Sequence, residues 1–179
     1  MPLFIIISIW IALDSHGGVI YRQVRVGQNN KDFRIFKFRS MRIDADKKGG
    51  LTIGFRDSRI TQVGYYLRKY KLDELPQLIN VFTGDMSLVG PRPEIRKYVD
   101  HYTEEQKKIL TVRPGITDWA SIDYINENEL LGKSVHPEKT YLEEVMPAKI
   151  ALNRRYIDNR SVGMYFRILG LTIKKMARG

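Results

Sequence analysis

Residues Leu3–Leu13, LFIIISIWIAL, are apolar at every position except Ser8, and this run limits the architectures open to the chain more than any other feature. As a helix, such a run reaches about 16 Å, roughly half of a bilayer's hydrocarbon thickness. It is too short to cross a membrane. A signal-peptide core is disfavoured, because no basic residue precedes the run and Asp14-Ser15-His16-Gly17-Gly18 is a poor cleavage site. Two readings stay open: a helix or strand buried in a soluble core, or a segment dipping into one leaflet, which Trp10 and the flanking polar residues suit. Pro2 would kink a longer helix, so the expectation is that the chain begins inside an element.

The whole chain, 179 residues, suffices for one domain with a sizeable core. No cysteine is present, which excludes disulfides, thiol nucleophiles, zinc ribbons and iron–sulfur sites. The histidines His16, His101 and His136 are too far apart in sequence to suggest metal ligation. A formal net charge of +10 points to an anionic partner: nucleic acid, a phosphorylated substrate or an anionic membrane face. Neither a Walker-type phosphate loop nor a dinucleotide-binding glycine fingerprint occurs. The basic, aromatic run near Phe33 lacks the glycine–aromatic pattern of an RNA-binding sheet, so nucleic acid loses ground.

Periodicity supplies a coarse outline. Val19–Tyr21 and Phe33–Met41 read as strands around a turn at Gly27–Asn30, with Phe36, Phe38 and Ser40 on one face and Lys37, Arg39 and Met41 on the other. Lys47–Gly54 reads as a loop. Thr61–Tyr70 reads as a helix with Val63, Tyr66, Leu67 and Tyr70 as its apolar stripe, and a second short helix is expected over Asp73–Phe82. His101–Leu110 is a further helix, with Thr103 as N-cap. From Ser161 on, Val162, Tyr165, Phe166, Leu169, Ile173 and Met176 form a stripe flanked by Arg167, Lys174, Lys175 and Arg178. That pattern fits core packing, and it also fits a helix at a membrane surface.

The densest chemistry lies in Lys71–Pro93, KLDELPQLINVFTGDMSLVGPRP. Asp73 and Glu74 are adjacent carboxylates at the start of a short helix, where the dipole favours the ionised form. Such a pair can divide its work, one attacking and the other holding a cation or a proton. Spacing alone equally fits an N-cap and a first-turn acid. In Gly90-Pro91-Arg92-Pro93 the prolines stiffen the backbone around Arg92, which suits a pre-aimed guanidinium for phosphate and also suits a rigid surface turn. Arg113-Pro114-Gly115 reads as a type II turn. Lys37, Arg39 and Arg68 could complete a pocket for an anion or be solvated surface charges.

The ordered set YRQVRVG (Tyr21–Gly27), FKFRSM (Phe36–Met41), the run Arg59–Pro93 and VRPGIT (Val112–Thr117) resembles the bacterial sugar transferase family, the monotopic phosphoglycosyl transferases that act on polyprenyl phosphate. The resemblance implies an α+β fold: a compact, mostly helical domain with a small sheet over residues 17–179. Residues 1–16 would be the returning half of a re-entrant membrane helix. It implies transfer of a sugar phosphate from a UDP-sugar or similar nucleotide sugar to undecaprenyl phosphate, with release of UMP. Asp73 matches the nucleophile, and Glu74 matches the partner that with Asp73 holds Mg²⁺. Lys37, Arg68 and Arg92, with Arg113 as a weaker member, match cationic positions for the substrate phosphates. The expected setting is the cytoplasmic face of the bacterial inner membrane, with membrane lipid as a partner, no nucleic acid and room for a homo-oligomer.

Departures fall in the second half. Many relatives continue after Thr117 with Gly, Trp, Ala, Gln and then an arginine, whereas here Asp118-Trp119-Ala120-Ser121 leads to Ile125 without one. Tyr165 stands where the family has an aspartate. Altered sugar or nucleotide preference follows as an expectation. The alternative to the enzyme is a non-catalytic basic module that keeps the fold and docks on lipid or a partner.

Overall fold

The computed structural model describes residues 2–45 and 57–176, so the loop expected over Lys47–Gly54 lies outside the described residues. The apolar run forms helix α1 (Pro2–Asp14). Its length is about 20 Å, and no described helix is long and apolar enough to cross a membrane. Ile7 and Ile11 are buried and pack, with Phe4, against Phe38, Val63 and Leu67. Leu3, Ile5, Ile6, Ile9, Trp10 and Leu13 are exposed. The reading of a wholly buried core element is therefore corrected. A helix that is apolar all round can cover only the side it turns to its neighbours.

The end of α1 is held by Arg39. Its buried guanidinium donates to the carbonyls of Ile11 at 3.3 Å and Ser15 at 2.6 Å, and to that of His16. Carbonyls in a last turn lack helical partners, so a buried cation there is both a donor and a match for the helix dipole. Gly17, at φ +122°, lies against this guanidinium where a Cβ would collide. Asp14 in turn accepts a hydrogen bond from the Val63 amide at 3.3 Å.

Strands β1 (Ile20–Val26) and β2 (Asp32–Phe38) form an antiparallel hairpin that pairs Ile20 with Phe38 and Val26 with Asp32. Asn29 and Asn30 turn the chain at positive φ, a region that asparagine enters more readily than most residues. β1 runs farther than the Val19–Tyr21 expected, and β2 stops at Phe38 because Met41 bridges Ile60 instead. Helix α2 (Gln62–Lys69) starts at Thr61, whose hydroxyl accepts from the Gly64 amide. Val63 and Leu67 are buried there while Tyr66 and Tyr70 stay exposed, Tyr66 stacking on Trp10 at a centroid distance of 6.1 Å.

The single helix expected over Asp73–Phe82 is two elements: a 3₁₀ turn, Leu72–Glu74, and α3 (Gln77–Phe82). Lys71 enters the turn in the left-handed region at φ 55°, and Pro76, which has no amide hydrogen, interrupts the ladder between them. Strand β3 (Ser87–Val89) is followed by α4 (Arg96–Val99) and α5 (Glu104–Lys107). α5 is shorter than expected, but it carries the Thr103 cap, completed by the Gln106 side chain reaching back to the Thr103 amide. Strand β4 (Gly115–Thr117) pairs in parallel with β3. Gly115 thus belongs to a strand without positive φ, not to a type II turn. Its missing side chain lets the backbones of Gly90 and Gly115 meet where any Cβ would clash.

The chain closes with α6 (Trp119–Asp123), α7 (Glu127–Gly132), α8 (Pro137–Thr140), a π turn over Tyr141–Val145, α9 (Met146–Asp158) and α10 (Val162–Met176). The main core gathers Val26, Tyr98, Val99, Ile109, Leu131 and Met146, and Val89, Ile122, Tyr156 and Ile168 form a second one. α10 buries Ile168, and Tyr165 and Leu169 of the expected stripe pack beside it, while Val162, Phe166 and Ile173 are exposed, so the stripe is core only in part. The mixture of helices with two small sheets agrees with the α+β expectation.

Gly64 packs on the Ser40 carbonyl so closely that an added Cβ would displace backbone. Gly64→Ala should cost about 1–3 kcal/mol. Gly163→Ala in α10, where the new methyl meets nothing, should be neutral or stabilising by up to about 1 kcal/mol. Thermal unfolding of the two variants side by side checks the contrast.

Candidate active site

Three segments distant in sequence converge on Glu74: β2, the 3₁₀ turn and the proline-flanked turn at Arg92. Arg92 grips the carboxylate with both ends of its fork, Nη1 to Oε2 at 3.0 Å and Nη2 to Oε1, the bidentate geometry that carboxylate and guanidinium share. Lys37 Nζ approaches Oε1 at 3.8 Å. Burial alone would push the Glu74 carboxyl up, but the charges of Arg92 and Lys37 overcome it and hold the group well below the usual carboxylate range. Glu74 in turn holds Arg92 firmly protonated. Burial pulls the Lys37 ammonium down to about 8 against the attraction of Glu74.

Asp73 behaves differently. It is buried, and its Oδ1 has no hydrogen-bond partner. Burial and then the neighbouring Glu74 push its carboxyl up, opposed by Lys37, Arg68 and Lys71. The expectation that a helix dipole would favour its ionised form is corrected. The turn is a single 3₁₀ unit, too short to build a sizeable dipole. Two adjacent carboxylates are thereby pushed apart by environment, one locked in an ion pair and the other left open.

The turn that presents Arg92 is anchored from several sides. Its amide donates to Asp118 Oδ2 at 3.2 Å. Arg25 Nη1 donates to the Pro93 carbonyl at 3.1 Å and to Glu94 Oε1 at 3.2 Å, and the Tyr141 hydroxyl donates to Glu94 Oε2. The Val26 amide donates to the Glu94 carbonyl at 2.9 Å. Asp118 also caps α6 by accepting from the Ser121 amide. Sequence reasoning did not find Arg25, Glu94, Asp118 or Tyr141 as supports. The position of Asp118 just before a helix marked a cap, but nothing local joined it to Arg92.

A cavity of about 1100 Å³ opens beside this cluster, and Lys37, Arg68, Lys71, Asp73, Glu74 and Arg92 all line it. Arg68 is half-buried on the last turn of α2. Arg39 touches the same cavity, but its guanidinium is committed to the end of α1, so it is a structural cap and not a member of the anion pocket. Arg113 is exposed and does not line the cavity. Its place beside the Gly90–Gly115 contact turns its carbonyl, not its guanidinium, toward the turn. Ile125 lines the cavity, whereas Tyr165 packs beside the second core.

This chain belongs to the bacterial sugar transferase family, whose model matches residues 1–179. It is 38% identical over 181 residues to a UDP-N-acetylgalactosamine-undecaprenyl-phosphate N-acetylgalactosaminephosphotransferase of Aeromonas hydrophila, covering 99% of this chain and 40% of that protein. It is 40% identical over 158 residues to an uncharacterised sugar transferase, EpsL, of Bacillus subtilis, covering 88% of this chain and 69% of the relative. A UDP-glucose:undecaprenyl-phosphate glucose-1-phosphate transferase of Escherichia coli is 36% identical over 182 residues, covering 97% of this chain and 36% of its own. The chain thus spans well under half of the Aeromonas and Escherichia proteins.

The two carboxylates should respond to neutralisation with opposite signs. Glu74, depressed in the fold, contributes stability above its unfolded value that is lost as pH falls. Asp73, raised in the fold, costs stability once ionised. At pH 7 Glu74→Gln should destabilise by about 3 kcal/mol, the low end for breaking a buried pair because Arg92 keeps 33% of its side chain exposed. Asp73→Asn should raise the unfolding temperature. Thermal melts of both variants at pH 7 decide it.

Proposed function

We propose that the chain transfers a sugar phosphate from a nucleotide diphosphate sugar, a UDP-sugar, to undecaprenyl phosphate, the opening membrane step of glycan assembly. The observation that carries this reading is the open oxygen of Asp73, buried at a large cavity among Lys37, Arg68 and Arg92. A carboxylate meets strong repulsion from a diphosphate unless fixed cations offset it. The pocket supplies such cations where water is scarce. The activities for which the Aeromonas and Escherichia relatives are named support the same reaction class.

In the proposed sequence, an Asp73 oxygen attacks the β-phosphorus and the bond from that phosphorus to the bridging oxygen breaks. UMP leaves with the electron pair. An oxygen of undecaprenyl phosphate then attacks the phosphorus of the phosphosugar-aspartate, and the Asp73 carboxylate leaves unchanged. Lys37, Arg68 and Arg92 hold the phosphate oxygens through both steps, and Glu74 keeps Arg92 and Lys37 charged and aimed.

Mg²⁺ belongs to this proposal. It commonly takes one or two carboxylates together with substrate phosphate oxygens, so the absence of a three-residue acidic or histidine cluster among the described residues is no obstacle. Asp73 offers a hard, unpartnered oxygen and would be the main ligand; Glu74 beside it, whose two oxygens are held by Arg92, would join through a remaining lone pair. When bound, the ion would neutralise charge on the diphosphate.

The uncovered side of α1, together with exposed Phe82 on α3 and Phe166 on α10, supports residues 1–16 as a membrane-associated segment of re-entrant type. The rest, 17–179, would sit on the cytoplasmic face of the inner membrane, where a net charge of +10 favours anionic lipid.

Detergent-solubilised protein with UDP-sugars, undecaprenyl phosphate and Mg²⁺ should release UMP, and Asp73→Asn should reduce that release by at least about 10³-fold, as expected for loss of a nucleophile. Intact-mass analysis with donor alone should show a phosphosugar adduct. Unchanged release in the variant refutes Asp73 as nucleophile, and lipid binding without turnover in the parent chain favours the docking module. Separately, Ile6→Asp with Ile9→Asp should reduce co-flotation with vesicles containing anionic lipid several-fold.

A further inference from the structure

The cavity is chemically divided. Around Asp73 it is cationic, with Lys37, Arg68, Lys71 and Arg92. Another wall, built by α6, the start of α7 and α9, is electrically balanced. There Lys149 Nζ pairs with Glu127 Oε2 at 2.6 Å and sits over the Tyr141 ring at 5.5 Å, and Lys175 donates to the Ile122 carbonyl. The two cations here are matched by two acids, Glu127 and Glu129, whereas Lys37, Arg68, Lys71 and Arg92 outnumber Asp73 and Glu74 at the other end, so a phosphate is drawn there.

Two polar atoms on that wall are unused. Asn153 is only 4% exposed, and its Oδ1 has no hydrogen-bond partner; neither has the buried Oγ of Ser121. Both residues line the cavity. Asn153 lies one turn from Lys149 on the same face of α9, and α9 packs against the α6 that carries Ser121. A buried polar atom left without a partner costs about 1–3 kcal/mol, so native structures rarely keep one without a use. An amide carbonyl and a hydroxyl on residues that line a cavity match the hydroxyl groups of a carbohydrate, which donate and accept but carry no charge. Trp119 and Tyr156 do not line the cavity and the Tyr141 ring is covered by Lys149, but Tyr124, just past α6, does line it, so inhibition by UMP is measured beside donor preference to separate a sugar from a nucleobase.

We propose that Ser121 and Asn153 form the subsite that hydrogen-bonds the hydroxyl groups of the donor's sugar, and that they set the preference among sugars. This rests on the transferase reading above. With the β-phosphate held at the cationic end beside Asp73, the attached sugar turns toward the neutral wall and the nucleoside lies elsewhere. Neither residue contacts the reacting atoms, so each acts on specificity and not on the chemical step.

The test measures kcat/KM of the parent chain, Ser121→Ala and Asn153→Leu with UDP-glucose, UDP-galactose, UDP-N-acetylglucosamine and UDP-N-acetylgalactosamine, alongside inhibition by UMP. Each variant should lose about tenfold on the preferred donor relative to the least favoured one, as loss of one or two desolvated hydrogen bonds predicts. The UMP inhibition constant should move less than about twofold on the same grounds. Ser121→Ala removes a single oxygen, so it carries the test even if Asn153→Leu unfolds. An unchanged donor ratio in Ser121→Ala overturns the subsite, and an equal loss of UMP affinity reassigns it to the nucleoside and also overturns it. Absence of turnover by the parent chain with every donor refutes the transferase reading itself, and the subsite with it.

Discussion

The grip of Arg92 on Glu74 is the contact on which the site depends. It joins the 3₁₀ turn to the proline-flanked turn, and Lys37 brings in the β1–β2 hairpin as a third party. A buried ion pair of this kind is an uncertain source of stability, because desolvation offsets much of its attraction. Its stronger effect here is geometric. It aligns cations along one side of a cavity and leaves Asp73 as the carboxylate whose oxygen lacks a partner. The same pair explains why neighbouring acids with similar intrinsic chemistry differ: the charges around Glu74 outweigh its burial, and those around Asp73 do not.

A second constraint links the apolar helix to the site. Arg39 closes the end of α1, and it sits one residue past β2, the strand that carries Lys37. Asp14 of α1 meets the first turn of α2, and α2 carries Arg68. Helix α1, with six exposed large apolar side chains, is thus coupled through hydrogen bonds to the segments that carry two of the cavity's cations. In a protein whose proposed substrates come from water on one side and lipid on the other, such links keep the chemistry at a set distance from the apolar face.

Much of this was legible in the chain. The Thr103 cap, the helix beginning near Thr61, the asparagine turn, the α+β class and the clustering of Asp73, Glu74 and the Arg92 turn all follow from short-range rules or from ordered motifs. What stayed open or was misread shares a cause. Arg39 fitted an anion pocket or a solvated surface, Gly115 read as a turn residue, and the stripe from Val162 to Met176 fitted core or a membrane surface. In each case the partner that decided the role lies far away in sequence: the carbonyls after Ile11, the backbone of Gly90, and the packing that buried Ile168. Arg25, Glu94, Asp118 and Tyr141 were invisible as supports for the same reason.

The sequence by itself determined which groups could do chemistry and where the backbone must be stiff, because prolines, glycines, caps and adjacent acids act on their immediate neighbours. It also determined that Leu3–Leu13, as a helix, reaches about 16 Å, less than a bilayer's hydrocarbon thickness. Only the tertiary structure decided which carboxylate is engaged and which is open, which arginine faces the cavity, and which apolar faces go uncovered. Those outcomes are set by desolvation and by charges brought together from distant segments, and neither quantity exists until the chain has folded.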